Sequence, residues 1–582
     1  MSISKKFAKG LFPVLFSAMA LLLAACGGSG GSTTGTGSMA PTNQQIYIKP
    51  YTRLSDIKTF DPAMTSDLYS SQAVEMVFTG LVGLDDKGQV INQMAASHSV
   101  SADGLTYTFK LKSGLKFGDG NPITSTDVVY SIDRSLDKNL NSPSSLYYLG
   151  LIKDSATRFS GKTKSLIGDS LLAPDPQTVV IKISKKAAYF LDTLTLTNPF
   201  VIDKAMIQKY GNNFADHLAQ MDGGDGPWKV SKYQRGKDIE FVPNPNYEGA
   251  KPKLSKVIFP FYSTNDTAYN AYQANQVDVT PVPAAHVAQA KSMTGQFVQY
   301  PVLSTSYIAM NYLTKPFDNV KIRQAFALAI NKDEIASNIY KGEVLPTNHI
   351  VPQGMPGYYA GLKGPDGTTS TAGNPTMAKQ LLQQGMKEEG ITSLPPITYT
   401  TSSGGDATTR QAEAAIQQMW KSALGVNVTI ADIDFNKLTS DTTAATNNAK
   451  GIQMWGIAWI ADYPDAQDWT TLQFDNGSAQ NNMNYGQNKS SDAAMQQQIQ
   501  KTLEQADGNP NASSRTTQYQ QAEQQLVNDV AWLPTNQQTV TDLRKSCVVG
   551  VQSNPQDLTP PDDWGSIYKT TATPCANVSQ YQ

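Results

Sequence analysis

Trp455-Gly456-Ile457-Ala458-Trp459-Ile460-Ala461-Asp462-Tyr463-Pro464-Asp465-Ala466-Gln467-Asp468-Trp469 decides how this chain is read. Its first half is apolar and carries β-branched and aromatic residues, the composition of a strand. Tyr463-Pro464-Asp465 cannot continue that strand, because proline has no N–H to give to a ladder. The strand therefore ends near Ala461, on a carboxylate, Asp462, set among aromatic rings. A carboxylate in such surroundings is costly unless something positive meets it, so Asp462 calls for a fixed Arg or Lys or for a cationic ligand. A strand edge with solvated acids is the plainer alternative.

Upstream, a helical run from Gln411 to Leu424 leads into the alternating Val426-Asn427-Val428-Thr429-Ile430, and Trp455 to Ile460 follows after another crossover. Helix alternating with strand predicts an α/β lobe with parallel strands, whose ligand crevice lies at the strands' carboxyl ends. Asp462 lies at such an end. Earlier still, Pro316 to Asn319 reads as a turn with Asp318 as cap, and Ile322, Ala325, Phe326, Ala329 and Ile330 trace one helical face. Asn331 and Glu334 are spaced as a capping box for the next helix. Downstream, Gln496 to Asn528 predicts two helices parted at Gly508-Asn509-Pro510, with Ile499, Leu503, Tyr519, Ala522 and Leu526 inward and the glutamines on a solvated face.

The N-terminus reads as an export signal. Lys5, Lys6 and Lys9 precede an apolar segment, Leu11 to Ala24, too short for a comfortable membrane span. Leu23-Ala24-Ala25-Cys26 resembles the bacterial lipobox, which makes Cys26 the expected lipidated residue. Gly27 to Pro41 is almost free of apolar side chains and reads as a tether, with the globular part starting near Gln44. At 582 residues the chain is too long for one core. Of its three cysteines, Cys547 and Cys575 remain as an even pair in an oxidising compartment, where a disulfide is the default.

The first globular segment reads as strand, turn and helix: Ile46, then Phe60-Asp61-Pro62, then Ala73, Val74, Val77 and Leu81. The alternating Leu105 to Leu111 precedes a helix through Asp133-Arg134, with Thr126 as cap. Together these form an α+β region. With a formal net charge of −2 and no Lys/Arg cluster interleaved with aromatics, nucleic acid is excluded as a partner. His98, His217, His286 and His349 form no close ligand pair, so neither metal nor cofactor is expected. Gly27-Gly28-Ser29-Gly30-Gly31 matches a nucleophile elbow in letters only, since it lies in the tether with no strand before it. Gly161-Lys162-Thr163 lacks the first glycine of a P-loop, Ala156 standing there. No catalytic residue is assigned, and the chain is not read as an enzyme.

Several blocks in fixed order carry a resemblance: Ser101-Ala102-Asp103-Gly104-Leu105-Thr106-Tyr107-Thr108-Phe109; Leu115 to Thr124; Asp127-Val128-Val129-Tyr130-Ser131; Gly224-Asp225-Gly226-Pro227-Trp228 with Asn244-Pro245-Asn246-Tyr247; and Pro316-Phe317-Asp318 through Arg323-Gln324-Ala325. They resemble the peptide and nickel class of ABC-transporter solute-binding proteins, extracellular family 5. The resemblance implies an α/β, two-lobed periplasmic-binding-protein-like fold (Venus-flytrap, type II) with an α+β subdomain inserted in the first lobe. It divides the chain into a signal (1–25), a tether (26–43), a discontinuous lobe I (44–78, 200–304 and 537–582), an insert (79–199) and lobe II (305–536).

The same resemblance implies that Asp462 meets the free amine of a peptide, with Trp459 and Phe435 walling the pocket and Tyr463 beside it. No Arg stands near in sequence to receive the peptide's carboxylate. The implied partners are the peptide, an ABC permease and ATPase, and the membrane through lipidated Cys26, for a monomer on the outer face. A sugar or nickel complex as ligand, a sensory receptor without transport, and a secreted hydrolase are the competing readings.

Overall fold

The computed structural model describes residues 37–221 and 223–582; the signal and Cys26 lie outside the described residues. Strand β1 (Ile46–Ile48) is buried throughout and leads, past the turn at Asp61-Pro62, to helix α1 (Leu68–Val77). The Asp67 side chain caps α1, accepting from the Ser70 N–H at 2.9 Å. Asp61 also receives both Nη atoms of Arg134, at 3.0 and 2.6 Å, in a buried bidentate pair.

The next segment folds on itself. Strands β2 (Ala95–Val100), β3 (Thr106–Leu111), β4 (Leu171–Asp175) and β5 (Thr178–Lys182) form an antiparallel sheet in the order β2-β3-β5-β4. Helix α2 (Ser125–Ser135) buries Val128 and Ile132 against Phe109 and Ile181, and the short α3 (Ser145–Leu149) follows. The cap of α2 is Thr124, not Thr126. The Thr124 amide and hydroxyl both donate to Asp127 Oδ2 at 2.8 Å, so the acid that reaches back fixes the start two residues earlier.

Strands β6 (Trp228–Gln234), β7 (Asp238–Pro243) and β8 (Lys256–Tyr262) then return to β1 in the order β1-β8-β7-β6, with β1 parallel to β8 and the rest antiparallel. The turn before β6 presses on the end of α1. A Cβ at Gly224 would sit 2.2 Å from the Val77 carbonyl oxygen and one at Gly226 2.6 Å from its carbon, so only glycine fits. The core of this sheet joins Tyr47, Val77, Trp228 and Phe241 to Cys547 and Trp564 near the other end of the chain. There Cys547 and Cys575 form a disulfide, with Cα atoms 5.5 Å apart.

The largest sheet takes β9 (Val279–Pro281), β10 (Phe297–Met310), β11 (Val344–Pro346), β12 (Ile397–Thr401), β13 (Val428–Asp432), β14 (Met454–Ile460) and β15 (Leu533–Arg544). Its order is β9-β15-β10-β14-β12-β13, with β11 also on β15. It is mixed, a correction to the parallel lobe expected from helix–strand alternation. β13, β12 and β14 are parallel as their crossovers require, but the long β10 and β15 run antiparallel to their neighbours.

One face carries α4 (Val320–Leu328), α5 (Pro375–Glu388) and α6 (Ala407–Leu424), packed through Phe326, Leu382, Trp420 and Met454. The other carries α7 (Phe435–Ala444), α8 (Ala493–Asp507) and α9 (Ala512–Asn528), packed through Leu438, Leu503, Leu526 and Trp455. Asn319 caps α4, while Asp318, the expected cap, pairs with Lys315 at 2.6 Å. The glutamines of α8 are not all solvated either. Gln496 and Gln500 are buried, and the Gln500 amide donates to the carbonyls of Phe474 and Tyr485 at 2.7 and 2.9 Å, closing loop backbone that has no ladder partner.

Candidate ligand-binding site

Alternation along β14 puts Trp455, Ile457 and Trp459 on the face shared with α8 and α9, and Met454 on the opposite face. The strand stops at the exposed Ile460, and the Ala461 N–H donates to the Leu303 carbonyl at 2.9 Å. Asp462 comes next. Its N–H donates to Asp468 Oδ2 at 3.2 Å, and the Trp459 indole N–H donates to the same oxygen at 3.0 Å. Asp468 is fully buried and so ties the strand end to the turn that follows.

Asp462 Oδ1 accepts from the Tyr148 hydroxyl, on α3, at 3.0 Å. Asp462 Oδ2 and Asp468 Oδ1 are both buried without a hydrogen-bond partner. Neither acid is paired with a Lys, Arg or His among the described residues. Burial pushes the Asp462 carboxyl up to about 6, against the opposing pull of the Tyr148 and Tyr147 hydroxyls. Burial, and then the charge of Asp462, push Asp468 well above the carboxylate range.

The neighbouring acid is in a different state. Asp465 takes a bidentate pair from Arg515 of α9, both N···O distances 2.6 Å, and also accepts from the Gln467 N–H at 2.8 Å. Thus an arginine distant in sequence does come near, but its charge is already met. Among the described residues the one grouping with metal-like spacing is Asp278 with Cys547 and Cys575. The disulfide and the Lys569–Asp278 ion pair at 2.9 Å occupy it.

Of the residues singled out in the sequence, Asp462 and Trp459 come together through Asp468. Phe435 is exposed on the first turn of α7. It follows β13, two strands from β14, at the same carboxyl edge of the sheet. Tyr463 is placed elsewhere: it is buried in the core of the inserted sheet, its ring stacked on Tyr189 at 6.1 Å and its hydroxyl on Gln467 Oε1 at 2.5 Å. Pro464 turns the chain so that Tyr463 and Asp462 face different surroundings. Tyr147, Tyr148 and Asp468 were missed. The tyrosines lie more than three hundred residues away with no local signal, whereas Asp468 stands in the quoted stretch but beyond Pro464, where no continuous strand or helix relates it to Asp462. Tyr147, Ile460 and Phe435 leave large apolar side chains exposed on this side of the sheet.

Residues 89–481 match the family described as Bacterial extracellular solute-binding proteins, family 5 Middle. The oligopeptide-binding protein OppA of Bacillus subtilis (strain 168) is 27% identical over 479 residues, covering 79% of this chain and 83% of that one. The probable deoxycholate-binding periplasmic protein YgiS of Escherichia coli (strain K12) is 27% identical over 523 residues, 88% of this chain and 92% of that one. The solved structure titled MppA periplasmic murein tripeptide binding protein, unliganded open form, superposes with a TM-score of 0.73 at 22% identity over 92% of this chain and 99% of that one. No helix among the described residues is long and apolar enough to cross a membrane. With the mixed sheets, the inserted subdomain and a family match spanning most of its length, this chain belongs to the extracellular solute-binding proteins of family 5, with the two-lobed type II periplasmic-binding fold.

Proposed function

We propose that this protein captures a peptide by its free amine at Asp462 and delivers it to the permease of an ABC importer, without catalysing a reaction. The observation that carries the reading is the half-buried carboxylate at the end of β14 with one oxygen unpartnered and no cation of the protein beside it. A charge-assisted bond from an ammonium group completes such a site. Trp459 and the exposed Phe435 supply apolar wall, as the sequence suggests. The similarity to the oligopeptide-binding protein OppA agrees with a peptide ligand. An anionic ligand such as deoxycholate would meet two acids here, which favours the peptide reading.

The lobes are assigned as 44–78 with 200–304 and 537–582, and as 305–536, with the insert at 79–199. They hinge across β10 and β15, whose ladder shifts register between Pro301 and Thr305. Anchoring is assigned to lipidated Cys26, so a Cys26→Ala protein should leave the membrane fraction; identical partitioning of mutant and wild type would refute the anchor.

Asp462→Ala should weaken binding of a free-amine peptide by about 2–5 kcal/mol, roughly 30-fold to several thousand-fold. Acetylating the peptide should cost wild type a similar factor and the mutant little more, since both changes remove one contact. Calorimetry decides. Equal affinity of wild type for free and acetylated peptide would show that Asp462 is a structural acid.

A further inference from the structure

We propose that Asp462 and Asp468 act as one proton-sharing acid pair, holding a proton between them in the empty protein and releasing it to solvent when the ligand's ammonium enters, so that Asp468 sets the pH range of capture. This rests on the reading that Asp462 receives the amine.

Neutral donors surround the two carboxyl groups. From α3 comes the Tyr148 hydroxyl, which donates to Asp462 Oδ1, with the Tyr147 hydroxyl close enough to favour the charged form. From β14 comes the Trp459 indole, which donates to Asp468, and from the turn the Asp462 amide, which donates to the same oxygen. All of these donors are neutral. The other charged group of the turn, Asp465, is matched by Arg515 and contributes no positive charge. Tyr463, the remaining titratable neighbour, is buried and bonded to Gln467.

Two carboxylates in one buried pocket, with neutral donors only, do not both ionise; one proton stays. The oxygens left without a partner, Asp462 Oδ2 and Asp468 Oδ1, are where that proton resides or where an ammonium would bond. Burial raises both groups, and the charge of Asp462 raises Asp468 further. An arriving ammonium brings the missing positive charge and makes the doubly ionised pair the stable form. The proton then leaves to water, and the ligand's own N–H bonds are unchanged.

It follows that Asp468 is a specificity-determining residue. A ligand whose end is neutral can enter only against the protonated pair, whereas a cationic end gains both charges. Trp459, bonded to Asp468, is a built-in reporter of its ionisation.

Calorimetry with tri-alanine at pH 6, in two buffers of different ionisation enthalpy, should show release of close to one proton per peptide. Wild-type affinity should fall about tenfold for each pH unit below the pair's titration. Asp468→Asn, which keeps an oxygen for Trp459 and the Asp462 amide, should lose most of the release and flatten the pH profile. Equal release from wild type and Asp468→Asn, or none from wild type, overturns the proposal.

A ligand-free arm separates it from the peptide reading. The fluorescence difference between wild type and Trp459→Phe should titrate above the ordinary carboxylate range and cease to do so in Asp468→Asn. Absence of that titration sinks the acid pair even if tri-alanine binds. If the titration is present and tri-alanine is not bound at any pH, the pair stands as an acid pair, its coupling to capture is refuted, and the peptide reading fails with it.

Discussion

Arg323 is fully buried, and every part of its guanidinium is engaged. Nε donates to the Asp529 carbonyl and Nη1 to the Phe317 carbonyl, each at 2.9 Å, while Nη2 meets Asp492 at 3.0 Å; the group lies 3.8 Å over the Tyr312 ring. Lysine has one nitrogen and no planar fork, so it cannot reproduce this set. Arg323→Lys should lower stability by about 1.5–3 kcal/mol, seen as a lower urea midpoint, with peptide affinity retained in the folded fraction. An unchanged midpoint would show that the fork carries no net stability. At this scale the sequence spoke through chemistry that a neighbour could reveal. Tyr463-Pro464-Asp465 placed the strand end just before Asp462, so the acid's place was legible, but the Tyr148 hydroxyl that meets it comes from another part of the fold. Asp468 was in view and unread, because an oxygen without a partner is a property of three dimensions.

The disulfide joins the segment just after β15 to the last turn of the chain across a separation of 28 residues. By the chain-entropy account such a loop contributes about 3–4 kcal/mol. The Cys547→Ala, Cys575→Ala double variant should unfold at correspondingly lower urea, and alkylation of the native protein without reductant should label neither cysteine; two labelled thiols would refute the bond. Elements with strong local signals were readable: β14 from its composition, and α8 and α9 from their spacing and the break at Asn509-Pro510. Strand direction was not, since β10 and β15 are set antiparallel by the strands they meet in the sheet, which are distant in sequence, and nothing local records that. Gln496 and Gln500 were misplaced for the same reason. A glutamine is buried when a loop needs its amide, and the loop is distant.

Across the molecule, burial raises several acids: Glu75 and Glu523 to about 8, and Asp507 and Asp542 to about 7. A carboxyl raised in the folded state supports folding fully below its ordinary value near 4 and loses that support as pH rises through 7 to 8. Buried Lys332, lowered to about 7, and Lys545, also lowered by burial, work in the opposite sense, the support of Lys332 being lost as pH falls through 7. Glu343, raised to about 7, adds to the acids, and these outnumber the two lysines. The melting temperature should therefore fall between pH 5.5 and pH 8.5; a rise over that interval would contradict this balance. The core that starts at Tyr47 is completed by Cys547, Trp564 and Ile567, and the inserted core by Tyr463. During export through a narrow channel, the leading segments emerge long before their closing residues and must wait, unsealed, until almost the whole polypeptide has crossed. Closure of the Tyr47 core is thus timed by the arrival of Cys547, Trp564 and Ile567, and a chain cut short before them would offer proteases an open core.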